Sequence, residues 1–85
     1  MRLHDIITFI YMFERNNNIN SFYFEEEYEI ETEDIVNIIN SQLDGKFTKV
    51  EANELKYVYK NRIFYIKKEL ISINYYMWKI STNNI

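Results

Sequence analysis

The stretch Thr32 to Gly45, TEDIVNIINSQLDG, constrains the chain more than any other, because its secondary structure is signalled at both ends. Thr32 suits an N-cap, since its hydroxyl can accept from an orphan backbone N–H of the first turn. Glu33 and Asp34 then place negative charge at the positive end of the helix dipole. Ile35, Ile38, Ile39 and Leu43 recur at helical spacing and form one apolar stripe. Asn37, Asn40, Ser41 and Asp44 lie mostly off it. Gly45, the only glycine, stands where a left-handed residue would end the helix. The spacing predicts a helix over about 33–44 that lays Ile35, Ile39 and Leu43 on its neighbours.

Those neighbours are to be sought in the flanking segments. Residues 22–31, FYFEEEYEIE, alternate as a strand does. Phe22, Phe24, Tyr28 and Ile30 fall on one face, and Tyr23, Glu25, Glu27, Glu29 and Glu31 on the other; Glu26, on the apolar face, marks a bulge or an edge. Residues 5–14, DIITFIYMFE, are apolar in every phase. As a strand they set Ile6, Thr8, Ile10 and Met12 against Ile7, Phe9, Tyr11 and Phe13. As a helix they align Leu3, Ile6, Ile7, Ile10 and Phe13, with Asp5 near the cap. Periodicity does not settle so short a run. Its aromatic and β-branched content favours a strand, joined to 22–31 in a hairpin through the asparagine-rich turn 15–21.

Beyond Gly45 the pattern suggests strands at 46–51, 55–60 and 62–68, then 70–80. Lys60-Asn61 serves as a two-residue turn, because Asn is accepted at positive φ. A helical alternative stands beside this reading. Thr48-Lys-Val-Glu51 fits a capping box, and Ile63, Ile66, Leu70, Ile73, Met77 and Ile80 form a heptad-like seam. Phe64, Tyr65, Ile71, Tyr75, Tyr76 and Trp78 fall off that seam, which speaks for strands. The expected fold is α+β: a single domain over 1–85, with one central helix packed on an antiparallel sheet in the order ββαβββ.

A chain of 85 residues buries only about two-thirds of its unfolded surface. It has no cysteine, hence neither a disulfide framework nor a thiolate zinc site. No apolar run approaches the roughly 18–20 residues of a membrane span. Arg2 accompanied by Asp5, with no small-residue cleavage site, argues against a signal peptide. The expectation is a protein of the host-cell cytoplasm with no membrane partner. The 14 Ile, 11 Asn and 8 Tyr are residues an AT-rich genome encodes readily. That bias weakens propensity arguments and suggests a virus, a phage or a low-GC bacterium.

The net charge of −3 hides a dipolar chain. Residues 1–45 carry two basic and ten acidic side chains, net −8; residues 46–85 carry eight basic and three acidic, net +5. Such asymmetry is a partner signal. Catalysis finds little support. His4 is the only histidine, near a terminus, with no thiol to activate. A carboxylate pair needs a cleft, and Glu25, Glu27 and Glu29 would spread along a line rather than around a cation. The chain is therefore read as no enzyme, with no metal and no cofactor.

Two segments carry binding signals. Seven of the ten residues from Glu25 to Asp34 are acidic. On a strand Glu25, Glu27, Glu29 and Glu31 would stand about 6.6–6.8 Å apart in one row, which Glu33 and Asp34 continue onto the helix. The plain reading is a solvated face that discourages edge pairing. The sharper one is a surface that enters a basic nucleic-acid channel and steers its own association. Conversely, Lys56, Lys60, Arg62, Lys67 and Lys68 interleave with Tyr57, Tyr59, Phe64 and Tyr65. Basic side chains with stacking aromatics suit single-stranded nucleic acid, although alternate tyrosines also suit a core. The two halves could also pair between protomers in a homo-oligomer.

In size, acidic run, AT-rich composition and lack of a catalytic motif the chain resembles the small phage-encoded inhibitors of bacterial defence nucleases, the anti-CRISPR proteins. The resemblance is to a class and includes no shared motif. It implies a non-enzymatic protein that binds a nuclease complex and blocks nucleic-acid entry, here through a partner-binding set of Glu25, Glu27, Glu29, Glu31, Glu33 and Asp34. The basic half departs from a pure mimic. It supports the alternative, a small nucleic-acid-binding regulator using Lys56, Lys60, Arg62, Lys67 and Lys68.

Overall fold

The computed structural model describes residues 5–15, 21–24, 30–73 and 75–84. The elements run α1 (Asp5–Arg15), β1 (Ser21–Phe24), α2 (Thr32–Gln42), β2 (Lys46–Glu51), β3 (Glu54–Tyr59), β4 (Arg62–Ser72) and β5 (Tyr75–Asn84). The strands form one antiparallel sheet in the order β1-β5-β4-β3-β2. The class is α+β as expected. The order ββαβββ is not found: the described residues read αβαββββ, with two helices instead of one central helix.

The largest correction is residues 5–14, which form helix α1 and not a strand. Ile6, Phe9, Ile10 and Phe13 are buried, whereas Thr8 and Tyr11 are exposed. That is one helical stripe. A strand would have split the same side chains between two faces. Asp5 in the first turn and Arg15 in the last oppose the dipole's end charges. The expected hairpin of 5–14 with 22–31 is absent accordingly. β1 pairs instead with β5, Phe22 opposite Ile80 and Phe24 opposite Trp78. Residues 25–29 of the expected strand, Glu26 included, and most of the 15–21 turn lie outside the described residues.

Helix α2 lies where the stripe put it. Ile35 and Ile39 are fully buried, Leu43 nearly so, and Ile38 is half-buried. Both ends differ from expectation. The N-cap is Glu31, whose backbone N–H donates to the Asp34 carboxylate at 3.0 Å. Thr32 is the first helical residue, and its hydroxyl donates to the Ala52 carbonyl in the β2–β3 turn. Gly45 does not adopt positive φ. It is required for close approach: a Cβ there would meet the Val58 carbonyl oxygen and lie 2.6 Å from the Tyr57 ring. Its N–H donates to the Tyr57 hydroxyl at 2.8 Å.

After Gly45 the chain forms strands and not the heptad-seam helix, but the last boundary moves: the expected strands 62–68 and 70–80 are replaced by β4, which runs on to Ser72, and β5, which starts at Tyr75. β3 and β4 join through Lys60-Asn61, with Tyr59 paired to Arg62. The left-handed residue of that turn is Lys60, at φ 54°, not Asn61. Leu55, Tyr57, Tyr59, Phe64, Ile66, Trp78 and Ile80 share one side of the sheet by register and form one core with the helix stripes. The Phe13 ring sits 6.1 Å from Phe64, and Phe47 4.7 Å from Tyr57. The indole N–H of Trp78 donates to the Ile30 carbonyl, tying the start of α2 to β5. Both helices thus cover one face, and no described element packs on the other.

Candidate functional site

Three surfaces come out of this layout. The first is the acidic segment. Glu25, Glu27 and Glu29 lie outside the described residues. Glu31, Glu33 and Asp34 are exposed at the start of α2. Asp34 is engaged by the Glu31 N–H, and the Glu31 side chain faces the Asp34 N–H in the reciprocal capping box, so Glu33 is the more available carboxylate. They stand at the end of the molecule that holds the β2–β3 turn, because Thr32 is anchored to Ala52.

The second surface is the outer part of the β4–β5 hairpin. β4 continues past its pairing with β3, which ends at Lys67 opposite Glu54 and a last bond from the Lys68 N–H to the Asn53 carbonyl. Beyond it only β5 is paired to the strand among the described residues, with a register shift between Leu70 and Ser72. Leu70, Ile71, Ile73, Tyr75 and Tyr76 are all exposed there, Ile73 at 91%. Helix α2 begins at this same end, since Ile30 is held by Trp78. The apolar hairpin therefore projects from the end of the molecule at which Glu31 and Glu33 stand.

The third surface is the uncovered sheet face. By register it presents Lys46 and Lys49 from β2, Lys56 from β3, Lys67 from β4 and Lys79 from β5. Tyr65 stands opposite Lys56, and Tyr23 opposite Lys79. Lys56 Nζ lies 5.6 Å from the Tyr65 ring centroid and Lys79 Nζ 5.7 Å from that of Tyr23. Among the described residues three carboxylates share the face: Glu54 and Glu51 lie 3.2 and 3.6 Å from Lys49, and Glu69 3.9 Å from Lys79. The Glu54 carboxylate, first among these neighbours, holds the Lys49 ammonium above its ordinary pKa. The Tyr23 hydroxyl donates to Glu69 at 3.0 Å, and that bond, chiefly, raises the phenol.

The expected basic set is divided among these surfaces. Lys56 and Lys67 lie on the uncovered face. Arg62 and Lys68 register with Tyr59 and Trp78, on the helix-covered side, and Lys60 is in the turn. Of the interleaved aromatics, Tyr57, Tyr59 and Phe64 are core, and Tyr65 alone stands on the uncovered face. Sequence reasoning did not find Lys46, Lys49 and Lys79 as members of one face, since only register joins them. The apolar hairpin was missed too. Its signal was the adjacent pairs Leu70-Ile71 and Tyr75-Tyr76, which break alternation and so put apolar groups on both faces.

No group of three or more His, Asp or Glu able to hold a metal occurs among the described residues, and His4 lies outside them. No described helix is long and apolar enough to cross a membrane. No family model matches the chain, and no curated protein or solved structure matches it either.

Proposed function

We propose that the chain is a non-enzymatic phage or viral inhibitor that binds a host protein in the cytoplasm of the infected cell through its apolar, acid-bearing end. One observation carries this reading: five large apolar side chains are exposed together on the outer β4–β5 hairpin, on both of its faces, where they contribute nothing to the core. Clustered exposed apolar surface marks an interaction site, whereas scattered residues do not. Tyr75 and Tyr76 suit a binding centre, because tyrosine brings large area with few torsions to freeze.

The carboxylates of that end select the partner. Glu31 and Glu33, with the acidic run that precedes them, favour a protein with a basic surface beside an apolar pocket. A nucleic-acid channel of a CRISPR or other defence nuclease has that charge. In this division the apolar tip holds the complex, and the acidic residues steer encounter.

The test is affinity capture from a low-GC bacterium expressing its defence nucleases. The wild-type chain should retain a nuclease, and the Leu70→Asp, Ile73→Asp double variant should lose it while keeping its melting temperature. The Glu25, Glu27, Glu29, Glu31→Gln variant should stay folded and associate more slowly, with a weaker salt dependence. A folded double variant that captures the nuclease undiminished would remove the hairpin from the interface.

A further inference from the structure

We infer that the uncovered sheet face is a binding site for single-stranded nucleic acid, built from Lys49, Lys56, Lys67 and Lys79 with Tyr65 and Tyr23 as stacking surfaces. It is separate from the apolar end, and its test needs no protein partner.

The argument begins with register. Lys49 pairs with Lys56 across β2 and β3, and Lys67 with Lys79 across β4 and β5. Lys56 and Lys67 are one side-chain row apart on adjacent strands. The four ammonium groups therefore form a continuous band across the sheet. Lys46 lies alongside it, opposite Val58. All three carboxylates of this face belong to its hairpin-side rows, level with Lys67 and Lys79 or beyond. Among the described residues the remaining half holds Lys46, Lys49 and Lys56 with Val58, Ile63 and Tyr65 and no acidic position. The Lys49 ammonium reaches Glu54 and Glu51 at its border, so Lys46 and Lys56 are its cations outside those pairs. Lys67 is exposed and outside the ion pairs of the face.

The aromatic rings set the ligand class. Tyr65 and Tyr23 are two strands and one row apart, about 12 Å from strand and residue spacing. Each has a lysine ammonium at its face. Both lysine side chains are partly exposed. A base that displaces the ammonium from the ring leaves the lysine beside the phosphate of the same nucleotide. Base stacking with a lysine on the backbone is how sequence-tolerant single-strand binding works. A duplex keeps its bases paired and cannot use the rings, and an anionic polymer without bases gains the lysines alone. The face thus favours unpaired strands over both. The whole chain's net charge of −3 keeps the attraction local and dependent on salt.

Fluorescence anisotropy with a labelled oligothymidylate tests this at 50 mM salt. The chain should bind it and should bind a duplex of equal length at least ten-fold more weakly. Lys56→Ala with Lys67→Ala should weaken binding and reduce the salt slope by about 1.4, two single-strand phosphate contacts. Tyr65→Ala should cost roughly ten-fold in affinity, the stacking of one base. Lys60→Ala with Arg62→Ala, off this face, should change neither value, and circular dichroism should show all variants folded. Absence of binding at 50 mM salt overturns the inference. So does equal affinity for duplex, or a loss from the Lys60, Arg62 pair matching that from Lys56 and Lys67.

Discussion

Ile66 and Leu70 lie four residues apart on β4, and by register both belong to the side that the helices cover. Ile66 is fully buried; Leu70 is 60% exposed. Residue type does not separate them, but their neighbours do: Ile66 stands between Leu55 of β3 and Ile80 of β5, whereas Leu70 lies past the end of β3 and has only Tyr76 opposite among the described residues. Length adds to this. An α-helix advances about 1.5 Å per residue and a strand about 3.3 Å. α1, α2 and β4 each have 11 residues, so a helix of about 16 Å lies on a strand of about 36 Å. The longest dimension of the molecule is 36 Å. Helices of this length cannot shelter the whole hairpin, and its outer part keeps apolar side chains with no core to enter. One alternation along one strand thus yields a core in one half and a candidate interface in the other.

The largest expected effects fall on the covered half. Ile66→Ala and Ile39→Ala should each cost about 2–5 kcal/mol, as cavity-forming changes at fully buried sites do. Denaturation midpoints measure this, and an unchanged midpoint for either variant would take that side chain out of the core. Gly45→Ala comes next, at roughly 1–3 kcal/mol. The added methyl meets the Val58 backbone and the buried Tyr57 ring, which cannot both withdraw. If its melting temperature matched the wild type, the close approach of Gly45 to β3 would be disproved.

Tyr57→Phe should be milder, about 0.5–1.5 kcal/mol for the lost bond to the Gly45 N–H. Its pH signature is specific. Burial, the largest influence, raises the Tyr57 phenol above its ordinary value, and the Gly45 N–H opposes this in part. A phenol with a raised folded pKa keeps its full contribution below the unfolded value near 10 and loses it as pH climbs through the folded one. Stability should therefore fall above about pH 10. The Tyr57→Phe variant should fall less steeply in the same titration, and equal slopes would contradict the burial of this hydroxyl.

The smallest expected change in stability is in the outer hairpin. Leu70→Ala and Ile73→Ser should shift stability by no more than about 0.5 kcal/mol, as exposed substitutions do. A Leu70→Ala loss as large as that of Ile66→Ala would erase the contrast between the two halves of β4.

How far the sequence was legible varied with the kind of signal. Helix α2 was readable because a 3.6-residue stripe, acidic first turn and terminal glycine agreed on one element. β2 matched its expected span, and β3 began one residue earlier, since tyrosine and lysine alternate there without interruption. α1 was misread because Ile, Phe and Tyr fill every phase of residues 5–14. The deciding fact was which of them had a partner to pack on, and that partner, Phe64 in β4, lies about 50 positions away. Gly45 shows the same limit. Its place was noticed, but its cause was the Tyr57 ring and not the backbone angle.

By itself, then, the sequence determined the local elements whose residues signal to near neighbours, the α+β class and the division of charge between the halves. The tertiary structure alone decided that residues 5–14 are helical, that β1 crosses to β5, and that Lys49, Lys56, Lys67 and Lys79 meet on one face. It also decided that the apolar hairpin outruns its helices. The physical reason is that pairing, burial and coverage are relations between segments distant in the chain. A residue's own neighbours encode its preference, while the segment that comes to lie on it settles the use.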